Sequence, residues 1–324
     1  MDKKIQQQAL ADTVGKKFRG RQQLQSKVVP HFPQSAEREY ERISRELMLL
    51  YDKILRAHMP ELKRALMYYG GKRFDDVPRS PDEIFAEIDR QFDAKLLSFN
   101  MREKLDRIAN MNRKLKIAEW KRVCQRTLGV DIFEDYYKGE FFQQAMDTWV
   151  QENIDLIVTQ PKDSLTQMRE IVRQGYEEGR RPEAIAKDIN GSYDSTKSHA
   201  EFIARDQTAK LNSALTRSQQ QDAGVNMYIW DTSRDQRVRD THRRMHGKYF
   251  RWGDVTVYSD DKGKTWKKKT LDMANIKGKF VHPGEDYQCR CVAIPVFNME
   301  GIAEIPIAAV DWETVDNRTK KVGT

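Results

Sequence analysis

The segment 227–252, "MYIWDTSRDQRVRDTHRRMHGKYFRW", is where the chain changes its period. Upstream, apolar residues recur every three or four positions, as on one face of a helix. Within the segment, "MYIWDT" and "KYFRW" read as strands, and "QRVRDTHRRMHG" between them reads as a helical turn or short helix. Downstream, "VTVYS" and "CVAIPVF" are further strands. Pro295 places the last one at an edge or a bulge, because proline has no N–H to give a ladder. Just upstream, "SLTQMREIVRQGYEEG" is a helix closed by Gly179. "RPEAIAKDIN" is a short helix opened by Pro182 and closed by Asn190-Gly191. "STKSHAEFIARDQTAKLNSALTRSQQQDAG" is a long helix with Gly224 just past its end and an apolar line of Phe202, Ile203, Leu211 and Leu215. The fold class is therefore α+β, with helices followed by a small antiparallel sheet.

The N-terminal half continues the helical texture. Ile43, Leu47, Leu50, Ile54 and Leu55 share one helix face. "PELKRALMYYGG" reads as a second, short helix with Pro60 at its start and Gly70 at its end. Ser80 caps a helix with Pro81 at its first position and a stripe of Phe85, Ile88, Phe92, Leu96 and Phe99. A charged helix runs from about Met101 to Leu128 and stops at Gly129. Another carries Phe142, Met146, Trp149, Ile154 and Ile157 and ends before Pro161. These stripes are core-facing positions, and so many charges between them suit an elongated docking region.

The 324 residues carry 57 basic and 49 acidic side chains, a net charge of +8, and the mean hydropathy is −0.80. The apolar runs are too short to span a bilayer, and "MDKKIQQQAL" has no apolar core of a secretory signal. Three cysteines, an odd number, argue against a disulfide scaffold. Residues 1–34 hold Lys3, Lys4, Lys16, Lys17, Arg19, Arg21 and Lys27 against Asp2 and Asp12, so 7 − 2 = +5 of the charge sits there. Such an arm is either a solvated flexible tail or a docking arm that neutralises phosphates without reading sequence. The organisation read from these features is a basic flexible arm at 1–34, a helical region at 35–163, an α+β domain at 164–297 and a tail at 298–324.

Three clusters carry chemistry-bearing side chains. "SDDKGKTW" at 259–266 is similar to the Asp-box of sialidase propellers, but it occurs once in a mostly helical chain. It reads as a hairpin turn in which Asp261 accepts turn amides, Gly263 takes a positive φ and Trp266 packs beneath. The stretch 234–247 packs Arg234, Arg237, Arg239, Arg243 and Arg244 with Asp235, Asp240, His242 and His246. Its readings are internal Arg–Asp pairing, a phosphate or partner contact, and a catalytic base with an arginine clamp. Cys289 and Cys291, read on a strand and facing the same side, are open to three readings: buried structural thiols, a redox pair, or ligands of zinc with His242 and His246 or with His282.

The ordered set is Ile203-Ala204-Arg205, the Gly224-Val225 turn, Trp230, Asp235, Arg237, Val238, Arg239, His242 and Gly247, then Pro283 ahead of Cys289-Arg290-Cys291. Over about residues 165–297 it resembles the phage Mu F-like minor head protein domain, or head morphogenesis family. Two departures stand out: Gln207 occupies a position that is often glutamate in the family, and the stretch before the cysteines is reduced to "HPGEDY". The resemblance implies a structural, non-enzymatic protein of a tailed-phage head. It would sit at the portal vertex or in the head interior and reach it from the host cytoplasm during assembly. It would act in procapsid assembly or in DNA packaging or delivery. The implied partners are the portal protein, capsid or scaffold proteins, and double-stranded DNA bound without sequence specificity. Arg205, Trp230, Asp235, Arg237, Arg239, His242, Gly247, Cys289, Arg290 and Cys291 are the residues that carry the motif. The rival is a metal-dependent nuclease or toxin-like enzyme that uses His242 with Arg237 and Arg239.

Overall fold

The computed structural model describes residues 3–72 and 74–313. The chain forms two compact units. One comprises residues 1–34, 109–147 and 208–324, and the other 35–108 and 148–207. The boundary expected at residue 164 therefore falls inside a unit. In chain order the elements are α1 (Lys3–Phe18), β1 (Gln23–Gln25), α2 (Gln34–Tyr69), α3 (Pro81–Leu97), α4 (Met101–Val123), α5 (Glu140–Glu177) and α6 (Pro182–Asp222). They continue with β2 (Met227–Asp231), α7 (Asp240–Met245), β3 (Tyr249–Arg251), β4 (Val257–Tyr258), β5 (Lys267–Lys268), β6 (Val292–Asn298) and α8 (Met299–Ile302). The protein is mostly helical with a small antiparallel C-terminal sheet, the expected α+β class. No described helix is long and apolar enough to cross a membrane.

The all-helical unit differs from the sequence reading in its helix breaks. Pro60 lies inside α2, Pro161 inside α5, and Asn190-Gly191 inside α6. An interior proline costs about 3 kcal/mol and a glycine about 1. Each fully buried aliphatic side chain returns roughly 1.5–3 kcal/mol. Leu55, Leu62, Ala65 and Leu66 flank Pro60, and Ile157, Leu165 and Met168 flank Pro161. Ile185, Ile189 and Tyr193 flank Gly191, and all of these are buried. Tertiary burial therefore carries each helix through its breaker. The α3 start matches the sequence: Ser80 and Glu83 form a reciprocal capping box with Pro81 in the first turn. Phe202, placed on the apolar line, is 44% exposed. Arg205 donates from Nε to Glu37 Oε1 at 2.6 Å, joining α6 to the start of α2.

The other unit is built on a four-stranded sheet in the order β1-β6-β2-β3. Side chains alternate across it. Tyr228, Trp230 and Ala293 join one apolar cluster with Phe250, Trp252, Met245, Cys289 and Cys291. Met227, Ile229, Ile294 and Val296 join another with Tyr249, and Trp266 packs against it. β6 is an interior strand, so the expectation that Pro295 marks an edge or bulge is corrected. Pro295 accepts from Ser26 N at 3.1 Å, where the β1 ladder ends. In an extended strand a residue's N and C=O point to the same side, so the missing N–H faces that ladder end and leaves the β2 pairing intact.

The segment 1–34 is not a flexible arm. Leu10, Val14 and Phe18 of α1 are buried in a core with Trp120, Val123, Val225 and Phe297, and β1 adds a strand to the sheet through Leu24. The cations lie on the exposed side of α1 and the following loop, so the apolar positions were masked by the polar residues between them. Residues past 298 are likewise no tail as far as Glu313, since Ile302, Ile305, Ala309 and Val310 enter the same core. α4 passes into a single π turn, Cys124–Leu128, closed by Gly129 at φ +79°.

Candidate metal centre and the arginine-rich turn

Gly247 at φ +77° returns the chain from α7 to β3, and its N–H donates to Trp230 O at 2.8 Å. This tight return presses α7 against the face of β2 that carries Trp230. His242 is thereby buried, its ring edge-on to the Trp230 indole at 5.4 Å between centroids. The segment 283–291 reaches the same place from the other side. Pro283 O accepts from Ser213 Oγ of α6 at 2.6 Å, which anchors the loop.

His242 Nδ1 lies 3.6 Å from Cys289 Sγ and 3.5 Å from Cys291 Sγ. The three ligand atoms fall within 4.8 Å of one another, all three residues are buried, and the group could hold a metal ion. The cysteines sit just before β6 rather than on it. Cys289 Sγ also accepts N–H bonds from Gly284 and Cys291, each at 3.4 Å. His242 Nε2 pairs with Asp286 Oδ2 at 3.0 Å, and Arg239 Nη1 donates to that same oxygen at 3.0 Å. Arg239 Nη2 donates to Tyr287 O at 2.7 Å.

The charges follow from this packing. Burial disfavours the His242 imidazolium, but the Asp286 bond and the Cys289 sulfur outweigh it and raise its pKa to about 9. The Cys291 hydrogen bond, with His242 beside it, holds the Cys289 thiol well below its ordinary value despite burial. Cys291 moves the opposite way, raised by its hydrogen bond to Cys289 and by burial. Burial pushes the Asp286 carboxyl up, and the His242 bond, the Tyr287 N–H and Arg239 more than reverse it.

His246 is not part of the group. α7 ends at Met245, and His246 turns out of the helix at ψ 131°. It faces Asp231 Oδ1 at 3.3 Å and accepts from Thr232 N at 3.2 Å. The four-residue spacing puts two ligands on one face only where the helix continues. His282 is also elsewhere, its Nδ1 2.8 Å from Tyr228 Oη.

The arginines are mostly committed to carboxylates. Arg234 pairs with Asp231, Arg239 with Asp286, Arg243 with Asp240, Arg244 with Asp272, and Arg290 with Asp235. Arg237 is exposed, and its backbone N–H donates to Asp235 Oδ1 at 3.0 Å. The internal pairing pins α7 and its flanking turn to the sheet and to the cysteine loop, so Arg239 does not present a free phosphate clamp. In the hairpin, Asp261 accepts from Ser259 Oγ at 2.6 Å and from Thr265 N at 2.9 Å. Gly263 sits at φ +82°. A Cβ there would meet Met227 Sδ at 2.5 Å, so the turn needs glycine for both reasons.

Sequence reasoning missed Asp286. It stands 44 positions from His242 in an ordinary acidic loop, and no local spacing links the two. Its neighbourhood to Cys289 was the one available signal.

Residues 166–294 match the family model described as Phage Mu protein F like protein. The matched stretch draws residues from both compact units. An uncharacterized protein of Haemophilus influenzae is 29% identical over 170 residues, 52% of this chain and 33% of its own length. The chain thus spans about a third of that relative. No solved structure matches the chain.

Proposed function

We propose, from the Phage Mu protein F-like domain at residues 166–294, that this protein is a minor structural component of a tailed-phage head. It is recruited at the portal vertex, with the portal protein and capsid or scaffold proteins as partners, and acts in procapsid assembly or in DNA packaging or delivery. The family match is the observation that carries this reading. The arginine-rich turn supports a structural role through Arg239, whose guanidinium is taken up by Asp286 and the Tyr287 carbonyl rather than held open as a phosphate clamp. Double-stranded DNA is the second partner, met by the exposed Lys3, Lys4, Lys16, Lys17, Arg19, Arg21 and Lys27. The ion suited to two sulfurs and an imidazole is zinc, as a structural clasp.

Quantitative mass spectrometry of purified phage particles beside DNA-free procapsids tests the proposal. A few copies in both support a minor head protein taken up during assembly. Presence in procapsids alone identifies an assembly factor that leaves. Absence from both overturns the head-protein reading. For DNA, the logarithm of affinity should fall linearly with the logarithm of salt. The slope should flatten by about 0.9 for each phosphate contact removed by a Lys→Gln change.

A further inference from the structure

We infer that His242 Nδ1, Cys289 Sγ and Cys291 Sγ are three ligands of one zinc ion, with Asp286 the positioning carboxylate that holds His242 in the ligating tautomer. The inference rests on the zinc reading of this group and adds its coordination scheme. Geometry comes first. Zn–S bonds of about 2.3 Å and Zn–N bonds of about 2.0–2.1 Å at tetrahedral angles put sulfur and nitrogen about 3.5–3.6 Å apart. The observed separations, 3.6 and 3.5 Å, are those edges. The two sulfur–nitrogen spacings therefore suit a single tetrahedral ion.

The surroundings supply what such a site needs. A ligating histidine donates its other ring N–H to a carboxylate, which fixes tautomer and ring plane. Here Nε2 faces Asp286, so Nδ1 is the nitrogen that offers its lone pair beside the sulfurs once an ion displaces its proton, and Arg239 pairs with the carboxylate. The N–H groups of Gly284 and Cys291 point at Cys289 Sγ and offset thiolate charge. The Trp230 ring limits rotation of the imidazole. Among the described residues no fourth histidine, cysteine or carboxylate joins the group, so these three side chains are the ligands the inference names. The ion would clasp α7 to the start of β6, two elements about 45 residues apart in sequence.

The experiment uses the full chain purified without chelator. Elemental analysis should find about one zinc per chain, and the cobalt(II)-substituted protein should show thiolate-to-metal charge-transfer absorption. Cys289→Ser should lose both, and His246→Ala should keep both. Competition against a chromophoric chelator should give an Asp286→Asn affinity about 10–100-fold weaker than that of the unaltered protein. In the unaltered protein loaded with cadmium-113, scalar coupling should appear to His242 Nδ1, with a proton retained on Nε2. This last readout needs no variant to fold. No zinc and no cobalt–thiolate absorption would overturn the zinc reading itself. Zinc bound with coupling to Nε2, or an unchanged Asp286→Asn affinity, would overturn the Asp286 assignment while leaving the zinc site standing.

Discussion

Phe18→Ala separates an integrated N-terminus from a tethered one. Phe18 is 2% exposed and closes the apolar face of α1 with Leu10 and Val14. A phenylalanine truncated in a packed core costs about 3–5 kcal/mol, from the lost transfer energy plus the cavity it leaves. A phenylalanine in a flexible arm would cost within about 0.5 kcal/mol of nothing. Urea denaturation followed by tryptophan fluorescence reads the right unit, since five of the six tryptophans lie in it and only Trp149 lies in the other. With a slope of about 1–3 kcal/mol per molar urea, the midpoint should drop by at least about 1 M. Lys16→Gln with Lys17→Gln, on the exposed side of the same helix, should leave the midpoint in place. A Phe18→Ala midpoint within about 0.2 M of the original would refute the packing argument. Deleting residues 1–34 would remove part of the core along with the charge, so it does not isolate DNA binding.

Other outcomes follow from buried charges. Lys116 and Glu119 form a buried ion pair that also holds the His31 backbone through Glu119 Oε1 at 2.7 Å. Lys116→Met or Glu119→Gln alone should cost about 3–5 kcal/mol, and Lys116→Met with Glu119→Leu should cost less than the sum of the single changes, read from a denaturation double-mutant cycle. Lys269 is buried with no hydrogen-bond partner for Nζ, which lies 4.6 Å over the Phe250 ring. Burial lowers its pKa to about 8. The unfolded chain therefore binds the proton more tightly, and stability should rise as pH climbs from about 8 to 10.5, by about 3 kcal/mol. Lys269→Met should flatten that rise and stabilise the protein at neutral pH, as thermal melts across pH would record. His282 is buried and lowered to about 3, first by burial and then by the charges of Arg217 and Lys269. Its neutral form belongs to the folded state, so stability should be intact above about pH 6.5 and drain away toward pH 3. Acid titration of the denaturation midpoint, with His282→Gln as the control, measures it.

The sequence by itself determined the class of the fold, the caps and the motif. Helical and strand periods are local, so the switch at Met227 was legible without any partner. Ser80-Pro81 announced a helix start because a capping box closes within one turn. The order of Arg205, Trp230, His242 and Cys289-Arg290-Cys291 was enough to identify the domain at 166–294. What only the tertiary structure decided was every question answered by distant atoms. Whether Pro60, Pro161 and Gly191 end a helix depends on burial on either side, which no local rule weighs. Whether the basic segment hangs free depends on three apolar residues finding a core made by residues 120–310. The choice of His242 over His246 as the partner of two cysteines turned on where a six-residue helix stops. The carboxylate behind that histidine came from a loop 44 residues away, brought there by the sheet.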